Sequence, residues 1–254
     1  MPLVAAAVCP HPPLLVPEIA GAAAPELDDL RTACDAAVDR LWESGARRLV
    51  VVGGDRVTRE HYFPFVGTFA PWGAPVQVGL GADSAAVDPA DVPPIGDRPA
   101  LPLSLLVGTW LLRRRVDRWR AAGRSGHPVT YQMVGLADDG PDGPLGGPAD
   151  GGPWAMLVLG DGSACRGPDA PGNFDPRAEP YDAAVAAALA TADADALLAL
   201  TAPGPAAELR VAGRSSWQAL ARAVRAAGGR WRAELSYHAA PYGVGYLVAS
   251  WERG

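Results

Sequence analysis

Four histidines are present, His11, His61, His127 and His238, and imidazole suits both metal ligation and proton transfer near neutrality. His11 follows a short apolar run, Leu3 to Val8, and stands between Pro10 and Pro12. In an open α/β sheet, ligands bind beyond the carboxyl ends of the strands, and flanking prolines stiffen the backbone there. Asp55 holds the equivalent place after a second run, VVVGGD. A carboxylate there can bind a metal or act as a base, but Arg56 and Arg59 follow closely, and an ion pair is the plainer expectation. Asp161 and Ser163 lie just past a third run in LVLGDGSACR, where glycines flanking Asp161 let the backbone approach a ligand. Cys165 sits beside Arg166, a neighbour that favours the thiolate. His238 closes a late strand ahead of Pro241-Tyr242-Gly243 and is expected to face the same crevice. His61, next to Tyr62 and Phe63, reads as a partly buried, hydrogen-bonded ring, and His127 as an exposed turn residue. No G-x-S-x-G elbow, Walker loop or G-x-G-x-x-G after a strand is found, so hydrolase and nucleotide-binding readings gain nothing.

These side chains need elements to position them. Leu3 to Val8 and Arg48 to Val52 have the unbroken apolar pattern of buried strands. Between them, Leu27, Leu30, Ala33, Cys34, Ala37, Val38 and Leu41 mark one face of a helix over 26–43. Strand, helix and strand in so short a stretch form a βαβ unit of a parallel or mixed sheet. Residues 62–80 predict a hairpin-like excursion broken at Pro71-Trp72-Gly73, 83–100 a loop, and Leu101 to Arg120 a helix with an arginine-rich end. Strands are expected at Val129 to Leu136 and Trp154 to Leu159, joined by a mobile Gly- and Pro-rich loop over 137–153. Helices over 181–191, 193–200 and 214–227 follow, then strands Trp231 to Tyr237 and Gly245 to Trp251. No internal repeat or linker interrupts this order, and one domain spanning 1–254 is expected.

Composition narrows the function classes. The chain has 254 residues, 49% hydrophobic and 20% charged, enough to bury one large core. A net charge of −6 argues against a nucleic-acid partner. Every basic residue is an arginine, which reads as nucleotide composition rather than chemistry. Three cysteines at 9, 34 and 165, without metal-ligand spacing, fit a reducing cytoplasm and no disulfide framework. No apolar run approaches the roughly 20 residues of a membrane helix, and the amino-terminal stretch reads as a first strand rather than a signal peptide. A cytoplasmic protein without membrane or nucleic-acid partners is expected.

Four strings occur in order along the chain: CPHPPLLVPE, LPLSLLVGTWLL, GDGSACRGPDAPGNFDPRAEPYDAAV and APYGVGYLVASW. Together they resemble the superfamily of class III extradiol ring-cleavage dioxygenase catalytic subunits, which includes the Memo-like proteins, over residues 3–252. The resemblance implies an α/β fold, a three-layer α/β/α sandwich with a mixed central sheet. Active members hold a non-haem Fe(II) on two histidines and a glutamate, leaving open positions for O₂ and a catecholate. A further histidine serves as acid/base. The first metal histidine maps onto His11. The second, in a string like S-P-H, maps onto Asp55, and the acid/base histidine of G-D-x-S-H maps onto Ala164. The glutamate maps onto His238 or Ala239.

Alanine transfers no proton, so the resemblance implies an altered, degenerate site. The expected function is a small-ligand or partner binder whose crevice is lined by His11, Asp55, Asp161, Ser163 and His238, with Asp161, Ser163 and Tyr242 as ligand contacts. One alternative is an active metal-dependent oxidoreductase using the permuted ligands His11, Asp55 and His238. Another is a Memo-like interaction module. The cofactor is accordingly Fe(II) or none. The expected partners are a small molecule, aromatic by the parent chemistry, and a second copy in a homodimer.

Overall fold

The computed structural model describes residues 3–81, 100–123, 129–138, 145 and 151–254. His127 and most of the two expected loops, 83–100 and 137–153, lie outside these. In chain order the elements are β1 (Leu3–Cys9), α1 (Pro17–Ala20), α2 (Asp28–Glu43), β2 (Arg48–Gly54), β3 (Arg59–His61), β4 (Phe65–Thr68), β5 (Gln77–Leu80) and α3 (Leu103–Ala121). They continue with β6 (Thr130–Leu136), β7 (Trp154–Leu159), α4 (Ala178–Thr191), α5 (Ala194–Leu200), α6 (Pro205–Glu208), α7 (Arg214–Ala227), β8 (Trp231–Ala239) and β9 (Tyr246–Arg253).

Among the described residues seven strands form one mixed sheet in the order β3-β6-β2-β7-β1-β9-β8. The four central strands β6, β2, β7 and β1 run parallel, and β3, β9 and β8 are antiparallel to their neighbours. β7 is buried at every residue because both of its faces are covered, and its unbroken apolar sequence follows from that. β1 and β2 are not adjacent: each pairs with β7, which is inserted between them.

Helices cover both faces, giving an α/β/α sandwich. On one face, Ala5, Ala7 and Cys9 of β1 and Leu157 and Leu159 of β7 pack against α2 and α3. On the other, Val8, Met156 and Val158 pack against α4, α5 and α7, around the wholly buried Trp217. Residues 104–112 of α3 are all buried, because the sheet covers one side and the antiparallel β4–β5 ribbon another. Arg114 and Arg118 of α3 bind Asp35 of α2 at 2.7 and 2.6 Å, and Arg115 and Arg118 bind Asp39, tying the outer layer together.

The excursion at 62–80 forms as the β4–β5 ribbon, turned at Ala70–Trp72. The short strand β3 was not foreseen. Its three residues, Arg-Glu-His, carry no strand pattern and are ordered by pairing along β6.

Candidate functional site

The carboxyl ends of the parallel strands meet on one side of the sheet. β1 and β7 leave it together, with Gly160 N–H donating to the Cys9 carbonyl at 3.0 Å. This brings two loops into register, and His11 N–H donates to Asp161 Oδ1 at 2.7 Å. The His11 ring is nine-tenths buried, and its Nδ1 lies 3.6 Å from the same oxygen with no hydrogen-bond partner of its own. The side chain keeps 11% exposure. Burial pushes the Asp161 carboxyl above the ordinary carboxylate range, and the His11 ring and N–H pull it partly back.

Asp55 sits past the end of β2, its N–H held by the Leu136 carbonyl at 2.8 Å. Its side chain is nearly inaccessible and fully engaged. Oδ2 accepts from Arg59 Nε at 2.9 Å and lies 3.2 Å from His61 Nε2, and Oδ1 accepts from Arg56 N–H at 2.6 Å and Arg59 Nη2 at 3.2 Å. Burial pushes this carboxyl up, but Arg59, the Arg56 N–H and His61 together outweigh it and hold it below its usual value. Gly135 on β6 makes the seat possible, since an added methyl would come within 2.6 Å of the Asp55 carboxylate. The ion-pair expectation for Asp55 and the buried-ring expectation for His61 describe this cluster.

Between these two loops opens a cavity of about 670 Å³, lined in part by His11, Gly54, Asp55, Arg56, Arg59 and Trp72. Leu101, Pro102 and Leu103 form another wall, with Asp138 and Ala212 at its edge. The α3 amino terminus therefore faces the space. Pro102 takes the N-cap position without a side-chain cap, and no acidic residue occupies the first turn. Ser104 Oγ donates to the Gly54 carbonyl at 2.7 Å and anchors this helix end to β2. The Arg56 side chain has no hydrogen-bond or ion-pair partner among the described residues. Asp55 is neutralised by Arg59, which leaves Arg56 and the uncapped helix end as positive groups on the cavity and Asp138 as a negative one.

The remaining expected site residues lie elsewhere. Ser163 is wholly buried: its N–H donates to Asp182 Oδ1 at 2.8 Å and its hydroxyl to the Leu209 carbonyl at 3.1 Å. It fixes the loop after β7 and does not line the cavity. Ala164, which the resemblance sets at an acid/base position, contributes backbone bonds to Leu209 and Gly172. The Tyr242 hydroxyl donates to Glu26 Oε2 at 2.9 Å, away from His11. His238 is an exposed residue of β8, two strands from β1 and so about 10 Å across the sheet. It pairs in register with Leu247, on the face covered by α4. Burial of part of the ring, and then Arg166, push its pKa down. His11 and Asp55 thus share one cavity with Asp161 behind His11, while Ser163, Tyr242 and His238 lie outside it.

No protein-family model matches the sequence, and no curated protein matches it. The resemblance to the extradiol dioxygenase superfamily rests on the motif strings, and its iron must be judged on the donors present. They do not fit. The carboxylate oxygens of Asp55 are committed to Arg59, Arg56 and His61, and His238 projects from the far side of an intervening strand. Among the described residues no three His, Cys, Asp or Glu side chains gather where they could hold a metal ion.

Trp72, Arg56 as a cation of the cavity, and residues 101–103 went unrecognised as site residues in sequence reasoning. The only available signals were the Pro-Trp-Gly break and a helix starting without a capping side chain.

Proposed function

We propose that this protein is an extradiol dioxygenase-like protein with an altered metal site, whose strand-end cavity binds a small organic anion with an apolar, aromatic body. The observation that carries this is the meeting of an uncapped α3 amino terminus and Arg56, whose side chain has no partner among the described residues, on a cavity walled by Trp72, Leu101 and Pro102. A volume of about 670 Å³ suits a single-ring acid with room for water. Arg56 and the helix end would take the carboxylate, Trp72 would lie against the ring, and His11 would meet a ring hydroxyl. Asp161 holds the His11 loop in place for that contact. Iron-dependent ring cleavage draws less support, because Ala164 offers no proton and Asp55 no free oxygen.

Titration calorimetry with benzoate, 4-hydroxybenzoate and 3,4-dihydroxybenzoate, against neutral catechol, tests the reading. The acids are expected to bind and catechol to bind more weakly, with Arg56→Ala reducing acid affinity about tenfold. If all four ligands behave alike, or the Arg56 variant binds the acids as wild type does, the anion assignment fails.

A further inference from the structure

The sheet ends at β8, and among the described residues no strand covers its outer edge. The nine-residue edge strand presents outward backbone N–H and C=O groups that another strand can pair. Which groups point outward follows from the register. Gly254 N–H donates to the Arg230 carbonyl at 3.0 Å, and Trp231 pairs with Arg253, Arg232 with Glu252 and Glu234 with Ser250. Because antiparallel ladders alternate, Arg232 and Glu234 turn their N–H and C=O groups toward β9. Those of Trp231, Ala233 and Leu235 face outward. At Leu235–Tyr237 the register shifts, so the regular edge is the five-residue segment Trp-Arg-Ala-Glu-Leu.

We infer that this edge pairs with the same edge of a second copy, antiparallel about a two-fold axis at Ala233, joining two seven-stranded sheets into one. The segment is complementary to itself about that residue. Ala233 meets Ala233 in a doubly hydrogen-bonded pair, using the outward N–H and C=O groups. Trp231 and Leu235 of one copy face Leu235 and Trp231 of the other in similar pairs, on the face where both already lean on the apolar cluster beneath α4. Arg232 falls opposite Glu234 in a non-hydrogen-bonded pair, where Cα atoms approach to about 4.5 Å and side chains are closest. On that opposite face Arg40 Nη2 already binds Glu234 Oε2 at 2.6 Å, so pairing extends the charges to Arg40–Glu234–Arg232. Any shift of one residue would set Arg232 against a neutral partner and forfeit the outward hydrogen bonds. The interface is isologous and closed, which stops the edge from templating a fibre.

A five-residue pairing buries less than the roughly 1,200 Å² of a stable complex, so the dimer is concentration-dependent. Sedimentation velocity on the full chain is expected to show monomer passing to dimer over roughly 1 to 300 µM. Ala233→Pro removes only an outward N–H, a position where an edge strand tolerates proline, and should leave a folded monomer. Arg232→Glu and Glu234→Arg should each weaken association about tenfold or more by setting like charges opposite, and the double swap should restore it. Circular dichroism checks that each variant is folded. A wild-type chain that stays monomeric to roughly 300 µM, its edge then serving another protein's strand or none, overturns the inference. So does a dimer that survives both proline and the single charge reversals.

Discussion

Asp55 and Asp161 are two buried carboxylates at equivalent strand ends, and their environments treat them oppositely. Asp55 is ringed by donors that hold its pKa down. Its stabilising contribution is complete above the ordinary carboxylate range, near about 4, and is lost as pH falls below that and through its depressed value. Asp161 is raised by burial, so its charge opposes folding as pH climbs from about 4 through its elevated value. Removing Asp55 strands His61, whose ring is buried, and Arg59, whose side chain remains 35% accessible. Asp55→Ala is therefore expected to cost about 2 kcal/mol at pH 7, below the full penalty for a buried pair because water reaches Arg59. Urea unfolding at pH 7 and pH 3 checks this, and the loss should shrink at the lower pH. The ion pair was legible because Arg56 and Arg59 follow Asp55 closely in sequence. The His61 contact was not, since it needs β3 to lie along β6.

The loop that follows β7 keeps its shape through a helix remote in sequence. Asp182, wholly buried on α4, accepts the Ser163 N–H and binds Arg166 Nη1 at 3.4 Å. Gly162 and Gly245 press against its carboxylate so closely that an added methyl at either would collide with it. Asp182→Ala is expected to cost about 2 kcal/mol, leaving Ser163 N–H and Arg166 without their acceptor. Hydrogen exchange should quicken over 160–177 while the central strands stay protected; uniform quickening would instead mean that Asp182 holds the whole fold. The strands themselves could be read from sequence, because burial on both faces forces a run such as AMLVL to be apolar throughout. His238 shows where that reading stops. Its strand was visible, but its face depends on the register shift at Leu235–Tyr237 and its distance from His11 on β9 lying between. The cavity walls were hidden for a related reason: Trp72, Pro102 and Ala212 are separated along the chain and meet only through tertiary packing.

At the scale of the molecule, one sheet separates two apolar layers that share no helix among the described residues. Successive β7 residues alternate between them, Leu157 facing α2 and α3, and Val158 facing α5 and α7. Either layer could hold together alone only if the sheet survived loss of the other. β7 is bonded to β1 on one side and β2 on the other, so its removal would split the sheet at its centre. The two layers are therefore coupled through β7, and unfolding should be a single transition. Amide hydrogen exchange in α2 and α3, against one face of the sheet, and in α4 and α7, against the other, is expected to lose protection at the same urea concentration. Leu157→Ala, at a fully buried site in the α2–α3 layer, should cost about 3 kcal/mol and lower the protection of both layers by the same amount. If only α2 and α3 lose protection, leaving α4 and α7 as before, the layers unfold independently and residues 1–254 do not act as one unit.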